Sequence, residues 1–173
     1  MRTRDRFFAL LAGSIVVTDY VTKRIAESRL LLHEPVEFIG SWVRFTLTYN
    51  QGAAMNLSLG SSNRIVFSVL ALAMLTVIVR MVRQLPDRRG WLVTALAMVA
   101  AGATGNLIDR LRSARGVVDF IDIGTPTWRF WTFNVADMGV TVGAVLLALL
   151  TWNEEPKPPA VNQPTSDPSA SAT

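Results

Sequence analysis

Four apolar stretches of nearly membrane-spanning length limit what this chain can fold into more than any other feature. They cover residues 7–21, 65–82, 91–108 and 135–152. A helix needs roughly 20 residues to cross about 30 Å of hydrocarbon. The third stretch holds no charged residue, and the fourth holds only Asp137. The first is short by this measure, but Lys23 and Arg24 can snorkel, so its helix is expected to run on past Val21 into the interface. Its basic start and apolar run are also those of a signal peptide. No small-x-small cleavage site follows, because Asp19, Tyr20, Val21, Thr22 and Lys23 stand there, and three more spans come after it. It is therefore expected to remain as a helix. Charged residues make up 17% of the chain, against about 25% in a typical soluble domain. The predicted class is a membrane all-α fold with four transmembrane helices.

An even number of spans puts both termini on one side. Arginines crowd at positions 2, 4 and 6 and again at 80, 83, 88 and 89, whereas those in 23–63 and 109–133 are spread over longer stretches. The dense clusters mark the cytoplasmic side, so both termini and the short second loop are predicted to lie there. In the segment 42–49, WVRFTLTY, the polar Arg44, Thr46 and Thr48 alternate with Val43, Phe45, Leu47 and Tyr49. Period two marks a strand with one wet face. A small extracytoplasmic β-sheet on the membrane surface is expected at about 30–59. Trp42, Trp128 and Trp131 suit the outer headgroup level, and Trp91 and Trp152 the inner one. Beyond residue 152 come five of the eight prolines and almost no large apolar side chain. Such a composition cannot offset its ordering entropy. Residues 1–152 are expected to form one membrane domain, and 153–173 a disordered cytoplasmic tail.

Composition removes several chemistries. There is no cysteine, and the one histidine is His33. A disulfide, a thiolate nucleophile and a two-histidine metal site are therefore excluded. A pI near 10.3 would suit a nucleic-acid binder, but the arginines sit at the ends of apolar runs, where they report topology. No cofactor, metal or nucleic-acid partner is expected, and the membrane lipids are. What remains is carboxylates. An aspartate at a helix centre costs on the order of 3 kcal/mol to insert. With the termini inside, Asp19, Asp109, Asp119 (in the loop VVDF) and Asp137 all fall at the outer membrane level. Asp19 has Lys23 at i+4, the favourable order for an interfacial ion pair. Asp109 reads as a cap or loop anchor. Asp137 has no lysine or arginine within four residues, and Asn134 lies at i−3 on the same helical face. Asn106, Asp109 and Arg110 share a face of the third span, where Gly102 and Gly105 allow close helix approach. Two facing carboxylates can share a proton, leaving one as a base for water and the other as an acid for a carbonyl. Asp119 and Asp137 could form such a pair.

Five motifs, in order along the spans, resemble those of the lipoprotein signal peptidase (signal peptidase II) family. They are TDYVTK (18–23), YNQGAAMNL (49–57), GATGNLIDRL (102–111), VVDF (117–120) and FNVAD (133–137). The resemblance implies an aspartic endopeptidase of the bacterial inner (cytoplasmic) membrane. Its substrate would be a diacylglyceryl-modified prolipoprotein, cut just before the lipid-modified cysteine. The resemblance implies Asp119 and Asp137 as the catalytic pair, with Asn106, Asn134 and Arg110 orienting the pair or the substrate backbone. Asp19, Asn50, Gly52, Asp109 and Ala136 match further motif positions, with Asp19 and Asn50 supporting the site or the sheet. Met55 stands where the family has a phenylalanine, and Ala101 where it has the first of two glycines. On this reading Asp19→Asn is expected to be mild, since only an interfacial pair is lost. The alternative is a proton-coupled transporter or channel component, because intramembrane aspartates also relay protons. The chain shows no internal repeat, which such proteins usually have.

Overall fold

In a computed structural model, residues 2–52, 63–87 and 90–152 are described. Among them are four helices and a three-stranded antiparallel sheet. They follow in the order α1 (Thr3–Arg29), β1 (Pro35–Ile39), β2 (Val43–Asn50), α2 (Asn63–Gln84), α3 (Gly90–Arg112), β3 (Val117–Ile123) and α4 (Val135–Thr151).

α3 is the centre of the bundle. Its small residues Ala95, Ala97, Ala100, Ala101, Gly102 and Gly105 are buried, and α1, α2 and α4 all pack on it. A helix surface of small side chains lets neighbouring backbones approach closely. α2 turns Ile65, Val69 and Leu72 outward, and α4 does the same with Val142, Val145 and Leu149. Contiguous apolar faces of this kind suit a hydrocarbon surrounding better than water. By length and composition α2 and α3 are able to cross a membrane, while α4 is apolar over a shorter run. α1 extends to Arg29 and so continues past the expected apolar run by two turns. In those turns Lys23 is turned inward with its side chain 1% exposed, so it does not snorkel as expected. Charged partners inside the protein hold it there.

The alternation in 43–49 is strand β2, whose one buried side chain is Leu47. β1 pairs with one edge of β2, and the other edge takes β3. β3 is the segment expected to be the loop VVDF. Thr48 stands opposite Asp119 and Tyr49 opposite Val118. Val117, Val118 and Phe120 are all buried, so the run lacks the alternation that betrays a half-exposed strand. Residues 53–59 of the expected sheet region, with Met55, and the tail 153–173 lie outside the described residues.

After β3 the chain doubles back. Ile121 and Phe133 exchange backbone hydrogen bonds of 2.8 and 3.0 Å. Asp122 pins this turn to β2, accepting from Arg44 at 2.9 Å, Thr46 at 3.0 Å and Arg129 at 2.6 Å. Partial burial raises the Asp122 pKa, but the bonds from Arg129, Arg44 and Thr46 outweigh it and hold the carboxyl below the usual range. The turn thereby delivers Asn134 to the start of α4.

Candidate active site

Two aspartates meet through one asparagine. Asn134, fully buried, is the N-cap of α4. Its side-chain oxygen accepts from Asp137 N at 2.9 Å, and Asp137 Oδ2 accepts from Asn134 N at 3.1 Å. This reciprocal box satisfies donors that the first turn of a helix leaves free. With its oxygen so engaged, the amide turns its nitrogen to β3. There Nδ2 donates to Asp119 Oδ1 at 2.6 Å and to Val118 O at 3.2 Å. Asn106 on α3 donates from Nδ2 to Asp137 Oδ1 at 2.8 Å. Asn50, the last residue of β2, hydrogen bonds to Asp119 and accepts from Gly52 N at 2.8 Å. Gly52 has φ +100°, and a Cβ there would lie 2.6 Å from the Phe67 ring, so glycine alone fits. Arg110 sits over that same ring at 5.4 Å and feels the charges of Asp137 and Asp119.

Behind the pair lies a buried ionic group. Lys23 Nζ is 2.8 Å from Asp19 Oδ2, 2.9 Å from Asp109 Oδ2 and 3.0 Å from Asn106 Oδ1. An ammonium has three protons, and these acceptors use them all. By holding the Asn106 oxygen, Lys23 aims the amide NH₂ at Asp137. Asp19 Oδ1 accepts from Ala136 N at 2.8 Å, so α1 helps to cap α4. Asp109 accepts from Arg24 at 3.1 Å and from Val118 N at 3.2 Å, which ties the start of β3 to α3. Glycine makes the approach possible: a Cβ at Gly105 would fall 2.5 Å from Asp19 Oδ2, and one at Gly102 would collide with Ala136 O. Asp19 and Lys23 are both 1% exposed, which overturns the expectation of a solvated interfacial pair.

Burial pushes the Asp119 carboxyl upward and the neighbouring Asp137 adds to it, against hydrogen bonds from Asn50 and Asn134, giving a pKa of about 7 in place of 3.8. Between those values the folded protein holds a proton that the unfolded chain has released. This contribution to stability is fully present below 3.8 and is lost as pH rises through about 7. Asp119→Asn should therefore flatten the fall in Tm between pH 5 and pH 8 and raise Tm at the upper end, read as thermal unfolding in detergent. The same slope in the variant would place the shared proton on another group.

The family model for signal peptidase (SPase) II matches residues 11–153. The chain belongs to the signal peptidase II family. It is 41% identical over 149 residues to the lipoprotein signal peptidase of Hydrogenovibrio crunogenus, covering 85% of this chain and 86% of that protein. The lipoprotein signal peptidase of Pseudomonas fluorescens is 39% identical over 142 residues, with 80% and 83% covered. That of Streptomyces coelicolor is 37% identical over 155 residues, with 87% and 74% covered. Among solved structures, a bacterial membrane enzyme determined by the in meso method at 1.9 Å superposes with a TM-score of 0.77 and 28% identity, covering 86% of this chain and 94% of that one. A second, at 2.3 Å, gives 0.76 and 29%, covering 87% and 93%. The transporter alternative is set aside by this membership.

In this signal peptidase II chain, the described residues of the five motifs lie close together. Asp119, Asp137, Asn134, Asn106, Asn50 and Arg110 converge, and Asp19 and Asp109 stand one layer behind. Asn134 does not share a helical face with Asp137; it is the cap that precedes the helix. Asp109 is an anchor as expected, but for a strand. The sequence did not disclose Arg24 and Glu27 as parts of the assembly, nor Lys23 as its centre. Glu27 accepts from Tyr49 at 3.1 Å and pairs with Arg112 at 3.3 Å, joining α1 to β2 and to the end of α3. The signal was the spacing of Asp19, Lys23 and Glu27. It draws a polar stripe along one face of a helix whose middle is apolar, and such a stripe needs a protein partner.

Proposed function

We propose that this chain is a membrane-embedded aspartic endopeptidase that removes the signal peptide from diacylglyceryl-modified prolipoproteins. It cuts just before the lipid-modified cysteine, with Asp119 and Asp137 as its catalytic pair. The observation that carries the proposal is that one buried asparagine, Asn134, holds both carboxylates, Asp119 through its side-chain amide and Asp137 through its backbone N–H. Asp137 is the base. Its two oxygens accept from Asn106 Nδ2 and Asn134 N, which leaves lone pairs on both for a water proton. Asp119 keeps its proton to about pH 7 and is the acid. Water attacks the scissile carbonyl and gives a proton to Asp137, while Asp119 protonates the carbonyl oxygen. As the C–N bond breaks, Asp137 passes its proton to the cysteine amine and Asp119 recovers its own from the hydroxyl. Arg110 and Asn50, beside the pair, orient the substrate backbone. The test is purified protein in detergent with a diacylglyceryl-modified precursor and with its unmodified form. Release of the signal peptide from the modified form alone is expected, and no release from it would overturn the proposal.

The same reading places α1 to α4 as four spans of the bacterial inner membrane, with the sheet on the outer surface and both termini in the cytoplasm. Residues 1–152 form the membrane domain, and 153–173 a tail outside it. The exposed Trp42, Trp128 and Trp131 beside the sheet, and Trp91 and Trp152 at the far end of α3 and α4, support it. In whole cells Thr127→Cys should react with a membrane-impermeant thiol reagent and Asp87→Cys should not. The reverse pattern would invert the orientation.

A further inference from the structure

A groove of 430 Å³ runs along the last turns of α1, where that helix faces the sheet and the start of α4. Ile25, Ala26 and Leu30 form one wall, and Phe45, Phe120 and Ile121 the other. Neither the dyad nor the ionic group behind it lines this space. Two polar residues reach it. The hydroxyl of Thr22 already donates to the backbone oxygens of Thr18 and Asp19. Arg29 is exposed and, among the described residues, has neither an ion pair nor a hydrogen bond.

Arg29 also ends a stripe. Val17, Val21 and Ile25 are 61%, 46% and 55% exposed and stand four residues apart, so with Arg29 they share one face of α1. The distance from Val17 to Arg29 along the helix axis is about 18 Å. One leaflet of hydrocarbon is about 15 Å deep, half of the core. The stripe thus has the length of an acyl chain, the groove widens it at the outer end, and a cation without a protein partner stands where a headgroup would be.

We propose that the groove binds one anionic glycerophospholipid of the bilayer, with an acyl chain between α1 and the sheet and its phosphate on Arg29. The proposal rests on the reading of α1 as a membrane span with the sheet outside. Guanidinium and phosphate match as a bidentate pair. The substrate's diacylglyceryl group carries no phosphate, so the unpaired arginine favours the bilayer lipid. In place the lipid wedges α1 against the sheet and fills contacts that the apolar walls otherwise lack.

Native mass spectrometry of the full chain, in detergent doped with phosphatidylglycerol or with phosphatidylcholine, tests this. One phosphatidylglycerol per chain should be retained in preference to phosphatidylcholine. Arg29→Gln should weaken that retention about fivefold and leave kcat and KM for the diacylglyceryl substrate in lipid-free detergent unchanged. Ala26→Trp, which fills the groove, should abolish retention of either lipid; Ile25→Glu, at an exposed position on the same wall, replaces it if the tryptophan variant does not fold. Undiminished retention in the Arg29 and groove variants, or equal retention of the two lipids by the parent, overturns the proposal. So does a raised KM in Arg29→Gln with lipid retention unchanged, which would give the groove to the substrate.

Discussion

Asp137→Asn and Asp119→Asn should each lower the cleavage rate on the order of 10³-fold while the protein still inserts and binds substrate. Asparagine keeps the size and one acceptor of the carboxyl. At position 137 it can still accept from Asn106, and at position 119 its oxygen can still accept from Asn134 Nδ2. Neither can take a proton from water or lend one to a carbonyl oxygen. In the proposed mechanism the two groups act on one water and one proton, so the double variant should be scarcely slower than either single one. Asn134→Ala removes a donor to one carboxylate and the cap under the other, so a loss of about 10²-fold is expected from misplacement alone. Initial rates in detergent, normalised to folded protein, are the measure. A substantial residual rate in either aspartate variant would end the two-carboxylate mechanism. It would leave Asp19 and Asp109, both already held by Lys23, as the carboxylates to be reconsidered.

Lys23→Met should be the most destabilising single change in the bundle. It leaves Asp19 without a cation and Asp109 with Arg24 alone, in a place where the side chains of Asp19 and Asp109 are 1% and 2% exposed. Breaking a buried pair by removing one partner costs about 3–5 kcal/mol. It also takes the ammonium from the Asn106 oxygen, which is left with Asn134 Nδ2 at 3.2 Å as its donor, so the amide is held less firmly toward Asp137. Asp19→Asn is gentler, because an amide oxygen can still accept from Ala136 N and Lys23 keeps Asp109. It is nonetheless expected near the lower end of that range, well above the fraction of a kcal/mol that a solvated pair would cost. Thermal unfolding in detergent decides. A Lys23→Met protein as stable as the parent would mean that water reaches this cluster.

The helices were legible because apolar runs of membrane length have few other uses, and β2 was legible because half of it faces polar surroundings. β3 was not, since a strand covered on both sides reads as an unmarked apolar run, and Asp119 within it looked like a loop residue. The convergence of Asp19, Asp109, Asp119 and Asp137 at one depth followed from span counting. The placement of Lys23 could not follow from it. A lysine four residues after an aspartate is the same in sequence whether it faces headgroups or the interior. What separates the two cases is Gly105, whose missing side chain lets α1 bring Asp19 against α3, and that contact joins residues 86 positions apart. Asn134 was placed one residue too far into its helix for a similar reason: only the reciprocal bonds with Asp137 reveal it as a cap.

The two carboxylates ride on different parts of the molecule. Asp119 belongs to a strand, hydrogen-bonded edge to edge with β2, and Asp137 belongs to the bundle. Asn134 bridges the two parts: its amide donates to Asp119 and Val118 in the strand, while its backbone N–H holds the Asp137 carboxylate in the bundle. Asp109 adds a second tie, accepting from Val118 N. The spacing of the two carboxylates is therefore set at a seam, and a change at Asn134 or Asp109 reaches both of them without touching either.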